Sequence, residues 1–283
     1  MSTSEKTVRI TQVSASNESV FSTPKADAVA VEEPLEIRLV SGPEEKRKGK
    51  SLSITMRTPG DDFELAVGFL VSEAIVSAKK DVVSVEHVGE VAAGQGQPNR
   101  VRVELDSSVS FAPTKLNRHF YTTSSCGVCG KASLEALELQ EFQPVESTLQ
   151  IAQTLVMQLP NKLRGKQTVF ATTGGIHAAG LFTPEGELVT VREDVGRHNA
   201  LDKLIGHQLL NDKFPLDDSM LVVSGRASFE LLQKALSASI PIFVAVGAPS
   251  SLAIELAEKF SITLIGFASQ NRFNIYSHPE RIV

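Results

Sequence analysis

Residues 220–226 read MLVVSGR, a short apolar run that ends in a small polar loop. A helical apolar period follows over residues 229–238, and the same pattern returns twice, beginning at Ile242 and at Ile262. Short apolar strands that alternate with helices are typical of parallel strands joined by crossover helices. The C-terminal part of the chain is therefore predicted to be an α/β domain with a mostly parallel sheet.

The loops that follow these strands are small and polar. In a parallel sheet such loops gather at the carboxyl edge, where ligands bind. Two of them carry an arginine, Arg226 and Arg272, which can hold phosphate oxygens in a bidentate manner. Ser250 can cap the next helix, whose free N–H groups can bind an anion, and Gly174 and Gly175 permit close backbone approach. Each loop alone is more simply a turn, but together they predict a pyrophosphate or nucleotide cradle.

The part of this domain that precedes residue 220 contains a denser polar pattern. Residues 168–172 are predicted to form a strand, and residues 176–182 and 188–191 a hairpin, before a helix over residues 196–210. The polar run 192–202 fits a capped, solvated helix start with local salt bridges. It also fits a buried polar network under the cysteine loop, or a partner surface, and these interpretations stay open.

Four regions follow from these patterns. Residues 1–26 are rich in Ser, Thr and Glu and are predicted to form a disordered tail. Residues 27–117, with two alternating runs, an amphipathic stretch and two more alternating runs, predict a small α+β roll. Residues 118–140 are predicted to form a mobile cysteine loop and a helix, and residues 141–283 the α/β domain.

The two cysteines of the chain, Cys126 and Cys129, stand in the polar segment SSCGVCG at residues 124–130. A predicted helix follows at once, and Lys131 adds a positive charge. Both features favour the thiolate over the thiol and so produce a better nucleophile. A disulfide across two residues would close too short a loop to stabilise the fold. The pattern favours reactive thiol chemistry on a sulfur-handling loop.

Two other uses of the cysteines remain open. Cys126 and Cys129 have the spacing of a zinc half-site, and His119, His177 or His198 could complete it. Neither a second C-x-x-C nor an H-x-E motif occurs in the sequence to strengthen that interpretation. The cysteines could also be inert structural thiols, although these usually stand in apolar runs. A lone histidine such as His198 is likewise more often structural than catalytic.

Composition limits the classes of function. The 283 residues have a net charge of −5, so the chain lacks the broad basic surface of a nucleic-acid-binding protein. Hydrophobic residues make up 42% and charged residues 22%, as in ordinary globular proteins of one large or two medium domains. Few cysteines, no leader-like N-terminus and no long apolar run predict a cytoplasmic protein that does not span a membrane.

Several long motifs resemble those of one known family, the formate dehydrogenase accessory sulfurtransferases (FdhD). The resemblance runs from about Leu35 to the C-terminus and leaves the N-terminal tail outside. The motifs that carry it are SCGVCG at residues 125–130, TGGIHAA at 173–179, REDVGRHNALDK at 192–203, VSGRASFE at 223–230 and RFNIY at 272–276.

The resemblance implies a cytoplasmic sulfur carrier, a sulfurtransferase. Cys126 would receive sulfur from a cysteine desulfurase as a persulfide and pass it to the bis-molybdopterin guanine dinucleotide cofactor of formate dehydrogenase. Cys129 matches the second cysteine of the family. The resemblance also implies a homodimer, a cytidine-deaminase-like three-layer fold, and a cofactor-binding segment that GDP-like nucleotides can occupy. That segment consists of Phe267, Ala268, Ser269, Gln270, Asn271 and Arg272.

Two alternatives to the sulfur carrier belong to other classes. The first is a non-catalytic chaperone that binds the molybdenum cofactor and uses its cysteines only for shape or metal. The second is a zinc-dependent, deaminase-like hydrolase. Zinc deaminases use H-x-E and P-C-x-x-C motifs, but here His177 is followed by two alanines, and Ser125 rather than proline precedes Cys126. No metal site is therefore predicted, and the deaminase reaction is disfavoured.

Overall fold

The computed structural model describes residues 4–15, 19–43, 45, 47–91, 96–109 and 142–283. The predicted cysteine loop and helix at residues 118–140, with both cysteines and His119, lie outside the described residues. The described chain forms a two-stranded hairpin, a four-stranded sheet and a six-stranded sheet. No helix in this part of the chain is long and apolar enough to cross a membrane.

The N-terminal segment forms a β hairpin. Strands β1 (Glu5–Ala15) and β2 (Val20–Ala30) pair in antiparallel register along their whole length. At its base, the Thr172 hydroxyl donates a hydrogen bond to the Glu5 carboxylate at 2.7 Å. This structure corrects the expectation of a disordered tail over residues 1–26. The polar composition of the segment concealed a period-two alternation in β1, which is enough for pairing once the base of the hairpin is anchored.

The small α+β unit has the predicted elements. They are β3 (Glu33–Ser41), β4 (Lys48–Arg57), α1 (Asp62–Ser72), β5 (Val82–His87) and β6 (Arg100–Leu105), with a short 3-10 turn at Lys79–Asp81. The sheet order is β4-β3-β6-β5. Strands β3 and β6 pair in parallel and the other two neighbouring pairs are antiparallel.

The rest of the described chain builds a six-stranded sheet with helices on both faces. Its strands are β7 (His177–Phe182), β8 (Leu188–Asp194), β9 (Met220–Val223), β10 (Ile242–Ala245), β11 (Thr263–Gly266) and β12 (Asn274–Ser277). Its helices are α2 (Gln153–Arg164), α3 (Thr168–Thr173), α4 (Arg197–Leu210), α5 (Phe229–Ser237) and α6 (Ser251–Lys259), and a 3-10 turn lies at Pro279–Arg281.

The order of this sheet is β12-β11-β10-β9-β7-β8. Strands β9, β10 and β11 pair in parallel, as the repeated pattern predicted. The other three neighbouring pairs are antiparallel, so the sheet is mixed rather than mostly parallel. The difference arises at both sides of the parallel centre, because β8 is reached from β7 through a tight hairpin and β12 returns along β11. Such short connections produce antiparallel pairs.

One predicted strand is a helix. Residues 168–172 belong to α3, although their β-branched and aromatic side chains favour a strand. The carboxylate of Glu193 on β8 accepts hydrogen bonds from the backbone amides of Val169 and Phe170 at 3.0 and 2.9 Å. These bonds satisfy free N–H groups at the start of the helix. A tertiary contact therefore overrides the local preference.

Two apolar clusters fill the two faces of the six-stranded sheet. The smaller packs Val156, Leu159 and Leu163 of α2 against Val222 and Val244. The larger joins the opposite face to α4, α5 and α6, and continues without a break into α1 and the four-stranded sheet. The three layers predicted for the C-terminal part are present, and the small unit shares their core. The cytidine-deaminase-like assignment stays a prediction.

Buried charges join the small unit to α4. The carboxylate of Asp194 accepts a hydrogen bond from the amide of Thr58 at 3.1 Å and forms an ion pair with Lys203 at 2.8 Å. Asp202 accepts hydrogen bonds from the Ser72 hydroxyl at 2.7 Å and from Lys234 at 2.8 Å. The polar run 192–202 is therefore a buried network between the two units. Replacing one member of either ion pair with an uncharged residue would leave the other charge buried and unpaired, which is strongly destabilising.

Candidate functional site

A cleft of about 730 Å³ opens at the carboxyl edge of the six-stranded sheet. This volume is within the usual range for ligand sites. One wall comes from α2, α3 and the start of β7, and the other from the loops after β9, β10 and β11. The lining residues are Pro160, Asn161, Leu163, Arg164, Gln167, Phe170, Gly174, Gly175, Ile176, His177, Ser224, Val246, Ala268, Ser269, Gln270 and Asn271.

Six of the residues predicted for cofactor binding line this cleft. Gly174 ends α3 with a φ of 67°, which belongs to the left-handed region that favours glycine. Gly175 follows it, and its amide donates a hydrogen bond to the Thr173 hydroxyl at 3.4 Å. The other four are Ala268, Ser269, Gln270 and Asn271 on the opposite wall. The structure therefore brings together two predicted segments that are almost one hundred residues apart.

The other four predicted residues are not among those that line the cleft. Ser250 caps α6, with its hydroxyl accepting a hydrogen bond from the Ala253 amide at 3.2 Å, as expected. The exposed Arg226 lies beside the next loop. The amide of Arg272 donates to the Ser269 hydroxyl at 3.3 Å and closes the turn that ends the segment.

Phe267 is the remaining predicted residue, and its backbone is strained. Its φ of 53° lies in the left-handed region, which is rare for a bulky side chain. Its amide donates to the Gly247 carbonyl at 3.0 Å, and the next amide, of Ala268, donates to the Ala245 carbonyl at 3.0 Å. These bonds hold the phenyl ring 40% exposed beside the cleft. Strain of this kind is typical of functional sites.

The three loops form a continuous platform. The Gly247 amide donates to the Gly225 carbonyl at 2.9 Å, and the Ala227 amide donates to the Ala248 carbonyl at 3.1 Å. A side chain at residue 247 would press against the backbone of Arg226, at 3.1 Å from its Cα. Close packing of these loops therefore depends on glycine, and their hydrogen bonds continue the sheet beyond its strands.

Several cleft residues were not among the sequence predictions for ligand binding. Arg164 places its guanidinium 3.5 Å from the centre of the Phe170 ring. Gln167 lines the cleft and is 4% exposed. Ser224, by contrast, belongs to one of the predicted polar loops, and its hydroxyl accepts a hydrogen bond from the Ala178 amide at 2.9 Å. Arg164, Gln167 and Phe170 were not predicted because residues 168–172 were assigned to a strand. That assignment hid the helical corner between α2 and α3 on which they lie. The composition of residues 164–170 offers no motif that would have indicated them.

His177 is the titratable group of the cleft that the zinc hypothesis had considered. Burial lowers its pKa, and the nearby positive charge of Arg197 lowers it further, against the opposing effect of Asp194. His177 therefore presents a neutral imidazole at pH 7. Among the described residues, no three His, Cys, Asp or Glu side chains are grouped so that they could hold a metal ion. A zinc site at His177 would need the cysteine segment.

Comparisons with known proteins agree with this architecture. The model of the FdhD/NarQ family matches residues 30–283. The sulfur carrier protein FdhD of Streptomyces coelicolor is 49% identical over 261 residues, covering 91% of this chain and 90% of the relative. That of Mycobacterium tuberculosis is 47% identical over 263 residues, covering 91% and 92%.

A solved structure supports the fold independently. The crystal structure of a protein from Desulfotalea psychrophila, described as a formate dehydrogenase accessory protein, superposes with a TM-score of 0.71 at 22% identity. The match covers 98% of this chain and 99% of that one. At this identity the likeness concerns the fold alone. Because the family model and the curated relatives each cover about nine-tenths of the sequence, the chain belongs to the FdhD/NarQ family.

Proposed function

We propose that this protein is a sulfur carrier for formate dehydrogenase. Cys126 accepts sulfur as a persulfide from a cysteine desulfurase, and the sulfur is passed to a bis-molybdopterin guanine dinucleotide cofactor bound in the cleft. The observation that carries the proposal is the cleft itself. It contains the glycine pair and four of the six residues of the predicted cofactor segment, in a chain whose relatives are named sulfur carriers.

Loading of the carrier needs only a thiolate. The Cys126 thiolate attacks the outer sulfur of the donor persulfide, the sulfur–sulfur bond of the donor breaks, and the donor cysteine leaves as a thiolate. The reaction consumes no external oxidant or reductant. The sequence around Cys126 favours the thiolate, since a predicted helix start and Lys131 follow it.

The cleft suits a dinucleotide as cargo. A bound nucleotide contacts polar loops and exposed backbone, and both are present at Gly174, Gly175 and residues 269–271. Arg226 and Arg272 are exposed near the same sheet edge, where their positive charge attracts an anion. We further propose that the working protein is a cytoplasmic homodimer that meets the desulfurase and formate dehydrogenase in turn.

Sulfur loading is the first test. The protein is incubated with a cysteine desulfurase and radiolabelled cysteine, and then run on non-reducing gels beside the Cys126→Ala and Cys129→Ala variants. We expect a label on the wild type that thiols remove, and loss of at least nine-tenths of it in Cys126→Ala. Ser125→Ala is the matched control and should keep the label. No label on any form, with the desulfurase active on another acceptor, would contradict the proposal.

A cofactor-binding chaperone is the second candidate, because the glycines and polar loops among the described lining residues suit a nucleotide whether or not the cysteines carry sulfur. In that case Cys126→Ala would retain both cofactor binding and most formate dehydrogenase maturation. The sulfur carrier predicts retained binding with maturation abolished. Formate dehydrogenase activity in cells that carry the variant separates the two.

A further inference from the structure

The amide nitrogen of Gln167 is buried and has no hydrogen-bond partner among the described residues. The side chain is 4% exposed and lines the cleft. Its backbone is fixed at the corner between α2 and α3, since its amide donates to the Arg164 carbonyl at 3.3 Å and its carbonyl accepts from the Ala171 amide at 3.1 Å. A buried donor without a partner is costly, so such a donor on a residue that lines a cleft indicates a ligand that completes it.

The surroundings of Gln167 fit a flat, uncharged ring better than a phosphate. The guanidinium of Arg164 and the ring of Phe170 are stacked at 3.5 Å, which leaves planar groups at this end of the cleft. The free amides at the start of α3 are already bonded to the carboxylate of Glu193 at 3.0 and 2.9 Å. That carboxylate would repel a phosphate. The apolar Leu163 and Ile176 also line the cleft and favour a heterocycle.

We infer that Gln167 is a specificity-determining residue that donates a hydrogen bond to the ring carbonyl oxygen of a 6-oxopurine base. The base then lies at the α2–α3 end of the cleft, and the phosphates extend towards Ser269, Gln270 and Asn271. The inference rests on the proposed function, because it names the part of the cargo that this end of the cleft recognises.

The chemistry of the donor decides which bases fit. Guanine and hypoxanthine both carry an acceptor oxygen at position 6, and this oxygen satisfies the amide of Gln167. With the Nε2 atom of Gln167 at this position, the amino group of adenine would set two donors opposite each other, and the buried nitrogen would stay unpaired. A site that hydrogen-bonds its ligand discriminates against an analogue that cannot form the bond.

The test measures nucleotide binding by isothermal titration calorimetry on the full chain. The ligands are GDP, IDP and ADP, and the variants are Gln167→Leu and Gln167→Met, the second of which keeps the length of the side chain. We expect the wild type to bind GDP and IDP about 10-fold more tightly than ADP. Both variants should weaken GDP and IDP about 10-fold and leave ADP within about 2-fold.

Gln208→Leu is the matched control, since Gln208 is another buried amide, on α4, that does not line the cleft. It should leave the ratio of GDP to ADP affinity unchanged. A ratio that is also unchanged in both Gln167 variants would overturn the inference. A wild type that prefers ADP would also overturn it. So would a free pterin whose binding is weakened in the Gln167 variants while the binding of GDP is not.

Sulfur loading of Cys126 is measured on the same variants, so that the two failures can be told apart. Normal loading with a lost preference for GDP supports the inference. Normal loading with GDP binding that ignores Gln167 overturns the inference and leaves the carrier intact. Loss of loading in the wild type overturns the proposed function, and a wild type that binds none of the nucleotides overturns the role of the cleft together with the inference.

Discussion

At the scale of single residues, folding changes the pKa of His198. It lies in the first turn of α4, and its Nε2 atom is buried without a hydrogen-bond partner among the described residues. Burial, with the positive charges of Lys234 and Arg197, lowers its pKa from 6.5 to about 4, against the opposing effect of Glu230. The imidazole is therefore neutral in the folded protein across the physiological pH range.

This difference predicts how stability depends on pH. Between pH 6.5 and 4 the unfolded chain binds a proton at His198 and the folded chain does not, so the free energy of unfolding falls as the pH is lowered. For this one group the loss between pH 7 and pH 5 is about 2 kcal/mol. Urea unfolding at the two pH values should show that the loss is smaller by this amount in His198→Gln. An equal loss in both proteins would contradict the assignment.

At the scale of elements, the crossing of α1 and α4 depends on two glycines. A Cβ atom at Gly68 would lie 1.8 Å from the carbonyl oxygen of Asp202, and one at Gly206 would lie 1.9 Å from that of Glu64. Both obstacles are backbone atoms, which cannot turn away. The helices therefore touch through their backbones, and this contact joins the small unit to the six-stranded sheet.

Gly206→Ala should consequently destabilise the protein by about 3 kcal/mol, because the helices must separate to admit one methyl group. Gly165→Ala is the matched control. Gly165 follows α2 with a φ of −66°, and its nearest obstacle is an oxygen at 3.4 Å, so the change should stay within about 1 kcal/mol. Urea unfolding measures both variants. A Gly206→Ala protein as stable as the wild type would show that the crossing adjusts freely.

The elements also show where prediction from the sequence succeeds. Strands β9, β10 and β11 were predicted because each is a short, buried and mostly apolar run with a glycine at or just after its end and a small polar loop beyond it. Helix α3 was missed because its first turn is stabilised by Glu193, which lies 24 residues after Val169 in the chain. The N-terminal hairpin was missed because its apolar alternation is weak and its anchor lies on α3. Both errors concern contacts that are distant in sequence.

At the scale of the whole molecule, one apolar cluster extends from the four-stranded sheet through α1 to α4, α5 and α6. Buried hydrogen bonds cross the same boundary, since Asp194, which forms an ion pair with Lys203, accepts one from the Thr58 amide and Asp202 accepts one from the Ser72 hydroxyl. The two units that the sequence suggested have separate sheets. The units share a single core.

A shared core predicts one cooperative unfolding transition. In differential scanning calorimetry, the described units should melt together, and the calorimetric enthalpy should equal the van't Hoff enthalpy within about 10%. Independent units would each bury their own core and would produce two transitions. Two resolved peaks, or an enthalpy ratio well above one, would contradict the prediction.

The sequence predicts one wall of the site, and only the pair Gly174 and Gly175 on the other wall. The rule that ligands bind at the carboxyl edge of parallel strands located Ala268, Ser269, Gln270 and Asn271 correctly in the cleft. The opposite wall comes from α2 and α3, which precede the sheet in the chain, and no local pattern places them across from the loops. Gln167 could not be identified from the sequence, because what distinguishes it is a buried amide nitrogen without a hydrogen-bond partner among the described residues.

The strained backbone of Phe267 has a consequence for protein engineering. A left-handed conformation costs a residue with a side chain about 1–2 kcal/mol, and glycine would escape that cost. Directed evolution that rewards heat resistance alone would therefore tend to replace this aromatic residue, which stands beside the cleft, with glycine. Libraries based on this protein should be scored for ligand binding and thermal tolerance together, because selection for heat resistance alone would alter a residue of the loop that flanks the cleft.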